Sequence, residues 1–166
     1  MPRRITVLPV AVVGLCFVAA APAAATERVV IRGGTTFNPG ESIVDNVRFT
    51  PRNLTVRSGE RVRVRDRGTD REAPHTLSIV RRGQLPNSFN CRACEQLFVA
   101  HEVNEEEETV GKPRVNVGAP GFNRPGDSIF VPPGGRVSFR VTADEGRNLS
   151  FLCAVHPWMQ GQFNVR

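Results

Sequence analysis

The chain has 166 residues, of which 40% are hydrophobic and 23% are charged. This length and composition support one hydrophobic core in a soluble protein and exclude two full domains. The 22 basic side chains exceed the 16 acidic ones, but they are scattered among them and form no basic stripe, so nucleic acid is not an expected partner.

Residues 1–25 are predicted to be a secretory signal peptide. Arg3 and Arg4 form a basic start, residues 5–20 are almost uninterruptedly apolar, and small residues after them offer a cleavage site. Removal of this segment lowers the net charge from +6 to +4 and leaves residues 26–166 as one domain. We therefore expect an exported protein, in the periplasm, outside the cell or at its surface. The alternative is an uncleaved membrane anchor, but the apolar segment is short for a bilayer crossing, so no membrane span is expected in the mature chain.

Short alternating segments separated by Gly and Pro dominate the mature chain and predict β-strands. In LTVRSGERVRVRD, residues 54–66, apolar residues alternate with arginines on both sides of an SGE turn, which predicts a strand, a turn and a second strand. Further strands are predicted at residues 29–32, 75–80, 136–141, 148–153 and 161–165. About seven short strands with such turns indicate an antiparallel β-sandwich.

Residues 81–127 interrupt this alternation and are predicted to be one inserted segment. CRACEQLFVAHEV, residues 91–103, predicts a short helix. An acidic run at residues 105–108 and a loop rich in Gly, Pro and Asn follow it.

The cysteine count singles out one thiol. Three of the four cysteines remain after signal removal, at Cys91, Cys94 and Cys153, in a compartment that favours disulfides. Cys91 and Cys94 are close enough in sequence to pair, which leaves Cys153 over. A free thiol outside the cytoplasm is exposed to oxidation unless it is buried or bound to a metal.

The loop after the strand at residues 148–153 carries metal-binding side chains. Cys153, His156 and Met159 are three residues apart, so a tight turn can bring a thiolate, an imidazole and a thioether to one point. Thiolate and thioether suit Cu(I), imidazole suits both oxidation states of copper, and two His with one Cys and a long axial Met form the blue-copper site. His75, at the start of a predicted strand, is the expected second His. Simple burial of Cys153 is the alternative.

These segments resemble the cupredoxins, small blue-copper proteins, and most of all the plastocyanin and amicyanin group. The matching stretches are FTPRNLTVRSGERVRV, APHTLSIV and GRVSFRVTADEGRNLSFLCAVHPWMQGQFNV. The resemblance implies a cupredoxin-like Greek-key sandwich. It also implies one type 1 copper per chain, held by His75, Cys153, His156 and Met159. Thr76 departs from the group, which usually has an Asn there that braces the Cys loop, so the Thr hydroxyl or packing must supply that rigidity.

Four occupied ligand positions leave no open site for a substrate, which favours outer-sphere electron transfer between redox proteins and disfavours a metal-activated-water enzyme. Pro157 and Trp158, beside His156, are expected to form the apolar surface on which a redox partner docks; packing of Trp158 on the sandwich is the alternative. A copper storage or delivery protein is the second hypothesis, although such proteins favour exposed sites rich in Met or His. A sandwich that binds no metal is the third.

Cys91, Cys94 and His101 can share one face of the predicted helix. Three interpretations compete: a structural disulfide, a thiol pair that exchanges electrons, and a second metal site that uses both cysteines, His101 and an acid. We expect the disulfide, because the compartment oxidises close thiols and the insertion has no other obvious anchor.

Overall fold

The structure is a computed structural model that describes residues 27–69 and 73–166. The predicted signal peptide, residues 1–25, lies outside these residues. Within them, no helix has the length and apolar character that a membrane crossing requires.

The described residues form mostly short strands, one α-helix and one 3-10 turn. The strands are β1 (Glu27–Arg32), β2 (Thr35–Asn38), β3 (Ser42–Asp45), β4 (Arg48–Thr50), β5 (Asn53–Val56), β6 (Arg61–Asp66), β7 (His75–Val80), β8 (Val103–Asn104), β9 (Thr109–Val110), β10 (Arg114–Val115), β11 (Ser128–Val131), β12 (Arg136–Arg140), β13 (Asn148–Leu152) and β14 (Gln160–Val165). The helix is α1 (Arg92–Ala100), and the 3-10 turn is Arg82–Gln84. Each predicted strand is found to within two residues.

Alternation along the strands builds the interior, as the sequence predicts. In β6, Val62 and Val64 are fully buried, while Arg63 between them is half-buried and Arg61 and Arg65 on either side are exposed. Each buried Val removes its side chain from water and contributes about 2 kcal/mol before entropy costs. Successive side chains of a strand point to opposite faces, so this pattern commits one face of β6 to the core.

The strands form two main sheets that face each other, which confirms the predicted sandwich. One sheet has the order β12-β6-β1-β4 and the other has the order β10-β11-β7-β13-β14-β5. Most pairings are antiparallel, but β1 with β6 and β5 with β14 are parallel. In both cases the chain crosses to the other sheet between the two paired strands, so the second strand can run in the same direction as the first.

One apolar cluster joins the two sheets and forms the core. Phe49 of the four-stranded sheet meets Phe151 of the six-stranded sheet edge to face, with ring centroids 5.2 Å apart. Phe163 of β14 lies on the other side of Phe151 at 4.5 Å. Such aromatic pairs add to the stabilisation from buried area.

Residues 81–127 cover the outer face of the six-stranded sheet. Helix α1 begins after Cys91, whose sulfur accepts a hydrogen bond from the Cys94 N–H at 3.1 Å, and ends at His101. Its buried face, formed by Ala93, Cys94 and Leu97, belongs to a second apolar cluster with residues of β7 and β13. All six residues of β7 are consequently buried, because the strand has a packed layer on each side.

Candidate metal centre

The topology brings the predicted ligands to one end of the six-stranded sheet. His75 is the first residue of β7, and Cys153 directly follows the last residue of β13. These two strands are antiparallel neighbours, so the start of one lies beside the end of the other. The loop after Cys153 then carries His156 and Met159 back toward β14.

Three of the four predicted ligands converge. His75 Nδ1 lies 3.2 Å from His156 Nδ1, and Cys153 Sγ lies 3.7 Å from His156 Nδ1. The ligand atoms of the three residues lie within 4.8 Å of one another, and the exposed fractions are 1%, 0% and 7%. Among the described residues, no other group of three or more His, Cys, Asp or Glu meets this criterion.

The loop is closed by its own backbone. The Cys153 N–H donates to the Met159 carbonyl at 2.9 Å, and the Met159 N–H donates to the His156 carbonyl at 2.8 Å. Met159 is 1% exposed and belongs to the same buried cluster as Cys153. The role of Met159 as an axial ligand stays a prediction.

Thr76, which stands where an Asn was expected, holds the loop through its hydroxyl. The Ala154 N–H donates to Thr76 Oγ1 at 2.8 Å, and the Thr76 N–H donates to Cys153 Sγ at 3.3 Å. These two bonds tie the ligand loop to the start of β7 from both sides of Cys153. The sequence analysis left open whether the Thr76 hydroxyl or packing makes the loop rigid. The fully buried Thr76 side chain does so through its hydrogen bond.

The protonation state of Cys153 depends on its burial and on the groups beside its sulfur. Burial raises the pKa of this thiol, while hydrogen bonds from the backbone and from the Thr76 hydroxyl lower it less strongly. A buried thiol of this kind stays protonated unless a cation takes the place of the proton. The two neighbouring imidazoles direct ring nitrogens, not apolar atoms, at that position.

Asp66 is a residue of the site that the sequence analysis missed. Its Oδ1 lies 3.9 Å from His75 Nε2, and its carboxylate accepts hydrogen bonds from the Gly68 and Gly134 N–H groups at 2.8 and 2.6 Å. Asp66 is 3% exposed. The signal was present in RVRVRD, because the alternation that buries every second residue of β6 places Asp66 on the core face.

Cys91 and Cys94 form the predicted disulfide. His101 does not join them: its ring contacts the Ser128 hydroxyl at 2.6 Å and the Lys112 carbonyl. The structure therefore pairs the two sulfurs with each other and directs His101 away, toward β11.

The surface beside the cluster is aromatic. Trp158 is 36% exposed, and its ring meets the His156 ring edge to face at a centroid distance of 5.3 Å. Phe89, from residues 81–127, also contacts the Trp158 ring edge to face, with ring centroids 5.6 Å apart. Pro157 is buried. With 7% of its surface exposed, His156 lies beneath Trp158 and is itself buried.

Comparisons of the sequence with protein-family models and with curated proteins found no match. Comparison of the fold found solved cupredoxins. A purple cupredoxin from Nitrosopumilus maritimus is 16% identical, with 84% of this chain and 99% of that chain covered and a TM-score of 0.46. An auracyanin from Roseiflexus castenholzii is 18% identical, with 87% and 98% covered and a TM-score of 0.47.

Auracyanin A from Chloroflexus aurantiacus, described as a "blue" copper protein, is 16% identical, with 86% of this chain and 100% of that chain covered and a TM-score of 0.47. Overlaps of this size carry no conclusion about function. The strand order and the buried cluster of His75, Cys153 and His156 are features of this chain itself. On those features the chain is a two-sheet β-sandwich with a His-Cys-His cluster at one end.

Proposed function

We propose that this chain is a blue copper protein that carries single electrons by outer-sphere transfer. The observation that carries the proposal is that one ring nitrogen of each histidine and the Cys153 sulfur, all on buried residues, lie within 4.8 Å of one another. Two imidazoles and one thiolate are the trigonal donor set of blue copper. Three donor atoms this close together can all bind one ion.

His75, Cys153 and His156 would hold the copper ion through two imidazoles and a thiolate, and Met159 would add a weak thioether donor. When bound, copper supplies one-electron chemistry between Cu(II) and Cu(I). The four protein ligands leave no position for a substrate, so we propose no enzymatic reaction.

The residues around the cluster hold the ligands in one arrangement. The loop is closed by the backbone bonds from Cys153 to Met159 and from Met159 to His156. Thr76 ties the loop to β7. A frame that does not move between oxidation states keeps the reorganisation energy small, and the burial of His75 and Cys153 excludes water.

We place the docking of a redox partner on the surface formed by Trp158 and Phe89. Pro157, which the sequence analysis included in this surface, is buried and does not contribute to it. Trp158 covers His156 and is itself partly exposed, so a docked partner would lie one aromatic ring away from a ligand. The donor and the acceptor are redox proteins whose identity the surface does not specify.

Copper storage or delivery is the second candidate. A delivery protein must release copper to a partner, whereas the three converging side chains are at most 7% exposed. Burial thus favours the electron carrier, because electrons cross a covered site more readily than ions do.

We also propose that the protein is exported after cleavage near residue 25. Support comes from the Cys91–Cys94 disulfide, which is typical of an oxidising compartment. Expression with the complete N-terminal segment, followed by mass measurement of the secreted chain, tests this step.

The function is tested by adding Cu(II) to the purified metal-free protein while recording visible absorption and the redox response. We expect one equivalent of copper, an intense thiolate-to-Cu(II) charge-transfer band and a reversible one-electron couple. Tight binding of Cu(I) with no intense band and no reversible couple would support storage instead. A chain that binds no copper would reject both.

A further inference from the structure

A groove of about 920 Å³ lies beside the surface where Trp158 covers His156. Three parts of the chain line it: the β2–β3 hairpin, residues 86–89 of the insertion and the end of the ligand loop. Its volume lies within the range of protein binding pockets. We call it the Trp158 groove. Its apolar lining is formed by Ile43 and Val44 of β3, Pro86, Phe89 and Trp158.

The Trp158 groove collects most of the large apolar side chains that the described residues expose. Of seven such side chains, four line the groove. Phe89 is 84% exposed and Ile43 is 68% exposed, so each presents most of its apolar surface to water. Apolar side chains gathered in one exposed place mark a binding surface, because a partner that covers them removes them from water.

Arginines surround the apolar groove. Two smaller depressions adjoin it, one through Pro86 and the other through Gln160, and neither is lined by an acidic residue. Within residues 27–69 and 73–166 no arginine forms an ion pair, so these positive charges are not neutralised there. The arginines that line the two depressions, all of them exposed, are Arg52, Arg81, Arg82 and Arg92.

The acidic groups of this region do not cancel the arginines. Asp45, which lines the groove, is half-buried and accepts hydrogen bonds from the Thr35 hydroxyl at 3.1 Å and the Val47 N–H at 2.9 Å. Residues 81–92, which lead into α1, carry three arginines and no acid, whereas residues 102–108, which follow the helix, carry five glutamates. The nine residues of α1 separate these charges by about 14 Å. An acidic surface is therefore attracted to the groove and repelled from the far end of the insertion.

We propose that the Trp158 groove is the docking site of an acidic redox protein. An apolar side chain of that protein enters the groove, and carboxylates around it meet the arginines of the two adjoining depressions. A small molecule in the groove would not reach those depressions, whereas a protein surface covers all three together. The redox role of the partner rests on the function proposed above. One electron then passes between the copper and the partner's redox centre past Trp158, and no bond forms or breaks.

The copper-free protein, with its disulfide intact, tests the docking site by itself. The probes are a basic cytochrome c and the same cytochrome after succinylation, which replaces its lysine charges with carboxylates. Nitrogen and proton NMR shifts of the amides and of the Trp158 indole N–H are followed during titration with each probe. We expect the succinylated probe to shift the signals of Trp158, Phe89 and Ile43 until they saturate, and salt should weaken this binding. The basic probe should leave these signals unchanged.

Two double variants test the arginines. Replacement of two of them together, Arg52→Gln with Arg82→Gln, should weaken binding of the succinylated probe about fivefold, because each exposed charge pair contributes a fraction of a kcal/mol. The matched control is Arg61→Gln with Arg140→Gln, which removes the same charge from the end of β6 opposite to Asp66. The control should bind like the wild type. Equal weakening in both double variants would overturn the proposal.

Two single variants test the apolar lining. Ile43→Ser should weaken binding roughly tenfold, since a docked partner would cover this side chain. Val99→Ser is the matched control, because Val99 is 78% exposed on α1 and lies outside the groove, and it should not change binding. A wild type in which the succinylated probe leaves Trp158 unshifted, or in which both probes bind equally, would overturn the proposal.

The copper-loaded protein tests the redox role of the site. The rate of electron exchange with each cytochrome is measured at increasing salt. The succinylated form should react faster and lose rate with salt, and Ile43→Ser should slow it while Val99→Ser does not. A blue protein that shows no preference between the two forms would reject the acidic partner. Failure of the wild type to form blue copper would reject the proposed function and leave the NMR result on docking standing.

Discussion

The two faces of the six-stranded sheet treat the same strands differently. On the inner face Leu77 and Ile79 of β7 pack in the apolar core, and His75 and Cys153 lie at the end of that face. On the outer face Thr76 and Ser78 are just as buried, but they are hydrogen-bonded. The inner face thus supplies the proposed copper ligands His75 and Cys153, and the outer face supplies hydrogen bonds that hold the loop after Cys153. One strand does both because its side chains alternate.

Replacement of the inner-face thiol is expected to have the largest effect. Cys153→Ser should remove the charge-transfer band entirely, because the band arises from the Cu–thiolate bond. The fold should persist, since the core is made by the strands and not by the metal. Visible absorption and far-UV circular dichroism measure the two results. A variant that remained intensely blue would remove Cys153 from the ligand set.

Truncation of neighbouring residues on the two faces compares their packing. Phe151→Ala should destabilise the fold by about 3–5 kcal/mol, because Phe151 is fully buried between Phe49 and Phe163. Leu152→Ala, one residue later and directed at α1, should cost about 2–3 kcal/mol, at the low end for a buried Leu. Urea unfolding of the metal-free proteins measures both. A larger loss from Leu152 would make the insertion, and not the sandwich, the main source of stability.

The same comparison explains what the sequence could predict. The core residues of the inner face could be predicted because apolar and polar residues alternate along the strands. The candidate ligands could be predicted because CAVHPWM places three of them in one loop. The outer face could not be predicted, since TLSIV alone cannot show that residues 81–127 fold back over it. The buried hydrogen bond between the Ser78 and Ser128 hydroxyls depends on the pairing of two strands fifty residues apart, which no local pattern encodes. Asp66 was overlooked because its strand is rich in charge.

Loss of the disulfide tests whether the outer layer is separable from the site. Replacement of Cys91 and Cys94 by Ser should cost about 2 kcal/mol, the value for a short closed loop, and should leave the blue band unchanged. Urea unfolding and visible absorption measure these effects.

Alkylation of the wild type provides a further check on the disulfide. The copper-loaded protein should show no reactive thiol, and denaturation with a chelator should expose Cys153 alone. Three reactive thiols would show that the disulfide does not form.

Replacement of Met159 tests whether this inner-face residue is a copper ligand. Met159→Leu should leave copper bound but raise the reduction potential, because loss of a weak axial donor destabilises Cu(II) more than Cu(I). Leu keeps the buried volume nearly constant, so stability should change by less than about 1.5 kcal/mol. Voltammetry of the blue protein measures the potential. An unchanged potential would mean that Met159 only packs in the core.

The smallest effect is expected from the outer face, in the pH dependence of stability. Burial lowers the pKa of His101 in the folded chain, whereas the unfolded chain takes up the proton at the usual value of 6.5. The unfolded state therefore binds more protons between these two values, so stability is complete above pH 6.5 and falls as the pH drops toward the folded pKa. His101→Gln has no titrating ring and should lack this part of the loss, while all other groups are common to both proteins and cancel. Urea midpoints of the metal-free proteins from pH 8 to pH 5 measure the difference. A wild type that gained stability over His101→Gln on acidification would show that hydrogen bonding by the protonated ring outweighs its burial.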